Sequence, residues 1–134
     1  MIKQLLPAYP LFTKDPFFSI WSNNEYLNKS DTIFWTGLKR PIYGYIRANG
    51  KIYCFMGVDK RAITLQQTKL SVSAFSTDYA FECDLFELEV SFVSPVPPTD
   101  LEILSCPVCY FDYTVKPKTE LLDVEIYLVL DESL

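Results

Sequence analysis

The dipeptide Asn49-Gly50 constrains the fold more than any other feature of the chain. Asn-Gly accepts positive φ at both central positions of a type I′ turn, whose twist matches that of the strands it joins. Aromatic and β-branched runs flank it, from Phe34 to Ala48 and from Lys51 to Gly57. A two-residue loop sets Ala48 opposite Lys51, Ile46 opposite Tyr53 and Gly44 opposite Phe55. The second face then carries Tyr43, Tyr45 and Arg47 against Ile52, Cys54 and Met56. Both faces are largely apolar, so the hairpin is expected to be central, with something packed on each side.

The rest of the chain also reads as strand. Residues 7–16 contain three prolines and are expected to be extended. Phe17 to Ser22 is a first strand candidate, and the polar stretch 23–33 reads as a loop over the surface. Residues 62–76 lack Gly and Pro and alternate at Leu70, Val72 and Ala74; Thr64 and Thr68 weaken a helix there, so strand is expected throughout. Tyr79, Phe81 and Cys83 form one alternating face, and Phe86, Leu88, Val90 and Phe92 form another, paired across a turn near Asp84.

Ser94-Pro95-Val96-Pro97-Pro98 ends that segment, because proline cannot donate to a ladder. Val108 to Val115 and Leu121 to Leu130 are two more strands; in the second, Leu122, Val124, Ile126, Leu128 and Leu130 share a face opposite Asp123, Glu125 and Tyr127. No capped helix with a 3.6-residue period is legible. The pattern predicts an all-β, antiparallel β-sandwich. One domain is expected over 1–134: an N-terminal arm and loop (7–33), a central hairpin and meander (34–94), and a proline-rich crossover with the last strands (95–134).

A composition of 49% hydrophobic and 16% aromatic residues excludes a disordered chain. The net charge of −5, with basic residues scattered, argues against nucleic acid as a partner. No stretch reaches the roughly 18 apolar residues a membrane span needs. The segment from Met1 to Pro7 lacks a continuous apolar core and does not read as a signal peptide, which leaves a cytoplasmic chain or one that begins after processing.

Little in the sequence supports catalysis. There is no histidine, which removes the commonest general base and most metal sites; no cofactor, metal or catalytic residue is expected. Cys106-Pro107-Val108-Cys109 has the spacing of a redox pair or half a zinc site, but Cys54 and Cys83 are isolated and a strand follows. Residues three apart on a strand point to opposite faces, so the two cysteines read as ordinary ones. Asp15, Asp31, Asp59, Glu82, Asp100 and Glu102 lie in or near loops or strand ends, and no spacing selects a catalytic pair. Trp21 and Trp35 with the nearby Tyr43 and Tyr45 form the candidate ligand platform, able to stack on a sugar ring or another small ligand.

Two blocks carry more specific information. Pro10-Leu11-Phe12-Thr13-Lys14-Asp15-Pro16-Phe17-Phe18-Ser19-Ile20-Trp21-Ser22, followed by Phe34-Trp35-Thr36-Gly37, resembles the N-terminal region of the glutaminase A family of bacteria and fungi. Tyr43 to Gly57 is similar to that family's G-x-I-R-x-D-G-K-x-Y-x-F-M-G stretch. Thr77-x-Tyr79-x-Phe81-Glu82, Leu88-x-Val90-x-Phe92-x-Ser94-Pro95, Asp100-Leu101-x-x-Leu104 and Ser105-x-Pro107-Val108-x-Tyr110 keep its order.

The resemblance implies a long, often exported protein: a β-supersandwich, of which this chain would be the first part, then a helical barrel similar to six-hairpin glycosidases. It also implies an activity for the whole protein, hydrolysis of L-glutamine to glutamate and ammonia. No catalytic residue carries over, and Cys106 stands where the family has a basic residue. The reading for this chain is a non-catalytic module that scaffolds or completes a helical domain, with a carbohydrate- or small-ligand-binding sandwich as the alternative. The partner is then that helical domain or a second copy of the chain, because part of a supersandwich leaves strand edges uncovered.

Overall fold

The computed structural model describes residues 6–15, 18–106, 108–120 and 123–130. Phe17, Pro107, Leu122 and the start of the chain, on which the readings of a first strand, the Cys-x-x-Cys segment, the last alternating face and a leader touch, lie outside them.

Two four-stranded sheets face each other. One is ordered β11-β4-β5-β6, from β4 (Ile42–Ala48), β5 (Lys51–Met56), β6 (Ile63–Thr64) and β11 (Val124–Leu130). The other is β10-β9-β8-β7, from β7 (Gln66–Val72), β8 (Ser76–Glu82), β9 (Phe86–Val93) and β10 (Tyr110–Pro117). A small third sheet holds β1 (Tyr9–Asp15), β2 (Phe18–Ser22) and β3 (Ile33–Phe34). Pairing is antiparallel except for β5 with β6. The fold is an all-β sandwich, as the alternation predicts.

Aromatic rings join the two large sheets. Phe55 of β5 lies 6.0 Å from Phe81 and 6.1 Å from Phe111, and Tyr53 meets Phe86 edge-on at 5.5 Å. Phe55, Phe81 and Phe86 are fully buried, and each such ring stabilises by roughly 2–3 kcal/mol relative to exposure. The small sheet closes one end through β1. There Thr77 donates to the Pro10 carbonyl at 2.6 Å, Thr13 N–H donates to Ser94 Oγ at 2.9 Å, and Phe12 packs edge-on against Phe92.

The central hairpin forms at Asn49-Gly50 with φ of 49° and 83°. Ala48 faces Lys51 and Ile46 faces Tyr53, but Gly44 pairs with Met56 instead of Phe55. An extra residue on β5 shifts the register there, a bulge that the alternating pattern did not reveal. It brings Met56 to the inner face, so that Phe55 and Met56 both enter the core. The expectation of packing on both faces of the hairpin holds for the inner face and, on the outer one, for Cys54, which is buried opposite Tyr45. Among the described residues, the outer face of β4 and β11 is open.

Other expectations also change. The stretch 23–33 does not simply run over the surface: Leu27, Asn28 and Thr32 are buried. Side-chain amides make this burial affordable, since Asn28 Nδ2 donates to the Leu65 and Cys54 carbonyls at 2.7 and 3.2 Å. Gln67 likewise accepts from Leu27 N–H and donates to the Glu25 carbonyl. Residues 62–76 are interrupted at Leu65, which turns into the core, and at a turn where Ser73 N–H donates to the Ser76 carbonyl.

A helix is present, α1 (Leu101–Ser105), where none was legible. Its N-cap is Asp100, whose carboxylate accepts from Ile103 N–H at 3.2 Å. At five residues it is too short to show a period. Lys14 donates to the Ile103 and Pro95 carbonyls, fastening the proline-rich crossover to β1.

Candidate functional site

The open outer face of β4 and β11 is a ladder of cross-strand pairs. Tyr43 faces Val129, Tyr45 faces Tyr127, and Arg47 faces Glu125. Side chains of alternate residues share a face, so these six stand together on the outside of the sandwich. Tyr43 and Tyr45 are nearly parallel, with ring centroids 6.4 Å apart. Ile52 adds to this floor from β5, and residues 58–62 rise beside it as a wall, enclosing an open basin of about 820 Å³.

Gly57 allows that wall to form. Its φ is +81°, which L side chains rarely adopt, and a Cβ there would lie 2.8 Å from the Tyr43 ring. Beyond it, Asp59 joins wall to floor. One carboxylate oxygen accepts from the Tyr45 hydroxyl at 2.8 Å; the other accepts from Arg61 N–H at 2.9 Å and from Arg61 Nε at 3.4 Å. Across the floor Glu125 accepts from the Tyr127 hydroxyl and lies 3.7 Å from Arg47. Two carboxylate–guanidinium pairs therefore flank the tyrosines.

The hydrogen bonds have electrostatic consequences. The Arg61 N–H holds the Asp59 carboxyl below its ordinary value of 3.8, helped by the Tyr45 hydroxyl, while desolvation opposes them. Burial pushes the Tyr45 phenol up, and its bond to Asp59 adds to this. A carboxyl depressed in the folded state contributes stability above its unfolded pKa and loses it as pH falls through the folded one. In urea unfolding, Asp59→Asn is therefore expected to flatten the fall in midpoint between about pH 5 and pH 2. An unchanged acid slope would show that Asp59 does not anchor the wall.

The structure divides the four predicted platform residues. Tyr43 and Tyr45 share the basin. Trp35 is exposed at the turn after β3 and lines a second hollow of about 420 Å³ with Thr13, Lys14, Asp15 and Ser19. Trp21 borders neither cavity; its Nε1 donates to Ser19 Oγ at 2.8 Å. Tyr127, Asp59 and Arg61 were missed as platform members. That Tyr127 and Glu125 share a face was legible, but the pairing of Tyr127 with Tyr45, about 80 residues away, was not.

Cys106 and Cys109 do not occupy one strand as supposed. Cys106 is exposed at the C-terminal end of α1, and Cys109 lies before β10, with its sulfur 3.5 Å from Ser94 Oγ. All four cysteines are free, and among the described residues no three Cys, Asp or Glu side chains converge as a metal site. Among those residues no helix is long and apolar enough to cross a membrane.

Two family models match the chain, both described as domains of unknown function: DUF4964 over residues 3–68 and DUF5127 over residues 75–134. Glutaminase A of Aspergillus oryzae is 30% identical over 130 residues, covering 90% of this chain. The chain is a homologue of the N-terminal region of glutaminase A. It spans 19% of the length of that curated relative. No solved structure matches the chain. In this glutaminase A homologue the two matched regions interleave: β11, from the second, pairs with β4, from the first. Core residues likewise come from both, with Ile46 and Phe55 from one and Phe81 and Leu88 from the other.

Proposed function

We propose that the chain is a non-catalytic β-sandwich module of a glutaminase A-like protein, folding as one unit over its 134 residues and scaffolding or completing a helical domain. The observation that carries this reading is the mouth of the sandwich between β10 and β11. Both are edge strands; Phe111, Val115, Val124 and Ile126 of their inner faces pack against the core, while the other inner-facing residues emerge into solvent. Tyr113, Leu128 and Leu130 point the same way as the buried Val90, Gly44 and Ile42, yet they are 55%, 38% and 61% exposed.

Edges elsewhere are blunted: β6 is two residues long and β7 carries Lys69 and three other polar residues before Leu70. In β11 only Glu125 is charged. A long apolar edge is a template for another strand or a packing surface for a neighbour. The length of the relative supports the remainder of a longer protein as that neighbour. Catalysis by the chain itself is disfavoured by the lack of histidine.

The isolated chain is accordingly expected to bind an apolar dye and to associate as concentration rises. Substituting both Leu128 and Leu130 by Lys should suppress both effects without unfolding it. A compact monomer that binds no dye would overturn the completion reading. Ammonia released from glutamine by the purified chain would overturn the non-catalytic one.

A further inference from the structure

We infer that the basin on the outer face of β4 and β11 is a binding site for a neutral pyranose sugar, with Tyr43, Tyr45 and Tyr127 as its floor. The inference is independent of the completion reading, because the basin and the sandwich mouth lie on opposite faces of β11.

Three observations select this ligand class. First, the floor is aromatic and accessible: Tyr127 is 44% exposed, and Ile52, Val58 and Val129 are exposed beside it. Two phenol hydroxyls are committed, that of Tyr45 to Asp59 and that of Tyr127 to Glu125, so these residues chiefly offer carbon surface. A pyranose has an apolar face of axial C–H groups that covers such carbon, and tyrosine suits this use because it orders few torsions on binding.

Second, the charges around the floor nearly cancel. Asp59 and Glu125 oppose Arg47, Arg61 and Lys60. Two carboxylates disfavour an anion, and three cations disfavour a cationic ligand, which leaves a neutral one. Third, each carboxylate sits beside a guanidinium, at 3.4 Å for Asp59 with Arg61 and 3.7 Å for Glu125 with Arg47. An acceptor next to a donor matches two adjacent sugar hydroxyls, each of which both donates and accepts. The Arg61 side chain is 92% exposed, so much of its donor capacity remains for a ligand.

The pocket is also supported in advance. The Tyr45–Asp59–Arg61 chain ties floor to wall, and Gly57 lets the wall return over Tyr43. A preformed site avoids part of the ordering cost of binding. Trp35 and Trp21 belong to neither wall nor floor, so the sugar reading attaches to the tyrosines and not to the tryptophans.

The test is a titration of the full chain, labelled for amide NMR, with neutral methyl pyranosides and their disaccharides. L-glutamine serves as the competing small ligand. Saturable shifts are expected at Tyr45, Arg61 and Tyr127. Tyr127→Ala and Ile52→Ser, both at exposed positions, are each expected to weaken binding about tenfold or more, while Trp35→Ala leaves it unchanged. The proposal fails if no sugar gives saturable shifts, if binding survives both basin substitutions, if the shifts gather at Trp35, or if only glutamine produces them.

Discussion

Gly44→Ala is expected to destabilise the protein by about 3 kcal/mol, although alanine ordinarily suits a strand better than glycine. Gly44 is not among the residues with positive φ, so the backbone would accept a side chain; the space would not. A Cβ would lie 2.5 Å from Cε2 and Cζ of Phe55 and 3.0 Å from Cβ of Met56. The Phe55 ring has nowhere to go. It is fully buried, tilted against Phe81 and stacked on Phe111 across the sandwich, so relief requires the facing sheet to move. The urea midpoint should fall with the slope unchanged. Phe55→Leu in the same chain should recover part of the loss, because the two substitutions share one space. An unchanged midpoint for Gly44→Ala would show that the bulge places Phe55 elsewhere.

The same residue marks how far the sequence could be read. The Asn49-Gly50 turn fixes Ala48 against Lys51 and Ile46 against Tyr53, because turn chemistry and alternation agree there. Three residues further on the register departs, and neither signal encodes the bulge. Its cause is tertiary: Phe55 and Met56 both gain burial when β5 slips by one residue, and Gly44 provides the room. The pairing of β8 with β9 was legible for the opposite reason, since a short turn joins two cleanly alternating runs.

Polarity misled at 23–33. Asn28 and Thr32 look like surface residues in a one-dimensional pattern, yet Thr32 Oγ1 accepts from Ile42 N–H and donates to the Arg40 carbonyl, and Asn28 spans two carbonyls. Burial of such small polar side chains costs little when their hydrogen bonds replace backbone pairing. The candidate site was half legible. Tyr43 and Tyr45 could be placed on one face from period two alone. Tyr127 required the pairing of β11 with β4, and Asp59 required the return of the chain at Gly57. Long-range pairing has no local signature, so the basin emerges only when β11 has joined β4 and the chain has returned beside them at residues 58–62.

Asn28→Asp is expected to cost about 3 kcal/mol at neutral pH, close to the loss at Gly44 but for an electrostatic reason. The substitution changes almost no volume. It replaces an amide donor, held between the carbonyls of Leu65 and Cys54, by an acceptor. At neutral pH a nearly buried carboxylate would then face two carbonyl oxygens with no donor between them. Only the protonated acid can restore one of the two bonds, so the folded state favours the neutral form and its carboxyl titrates above the unfolded one. A group raised in the folded state has its best contribution below the unfolded pKa and loses it as pH rises. The gap between wild type and variant should therefore be smallest near about pH 4 and widen towards neutrality. Asn28→Ala removes the donor without adding a charge, and its deficit should not vary over that range. A gap for Asn28→Asp that is flat with pH would mean that water reaches the 23–32 loop. The burial of Leu27 would then have to be maintained by its own bonds to Gln67 and Gly57 rather than by Asn28.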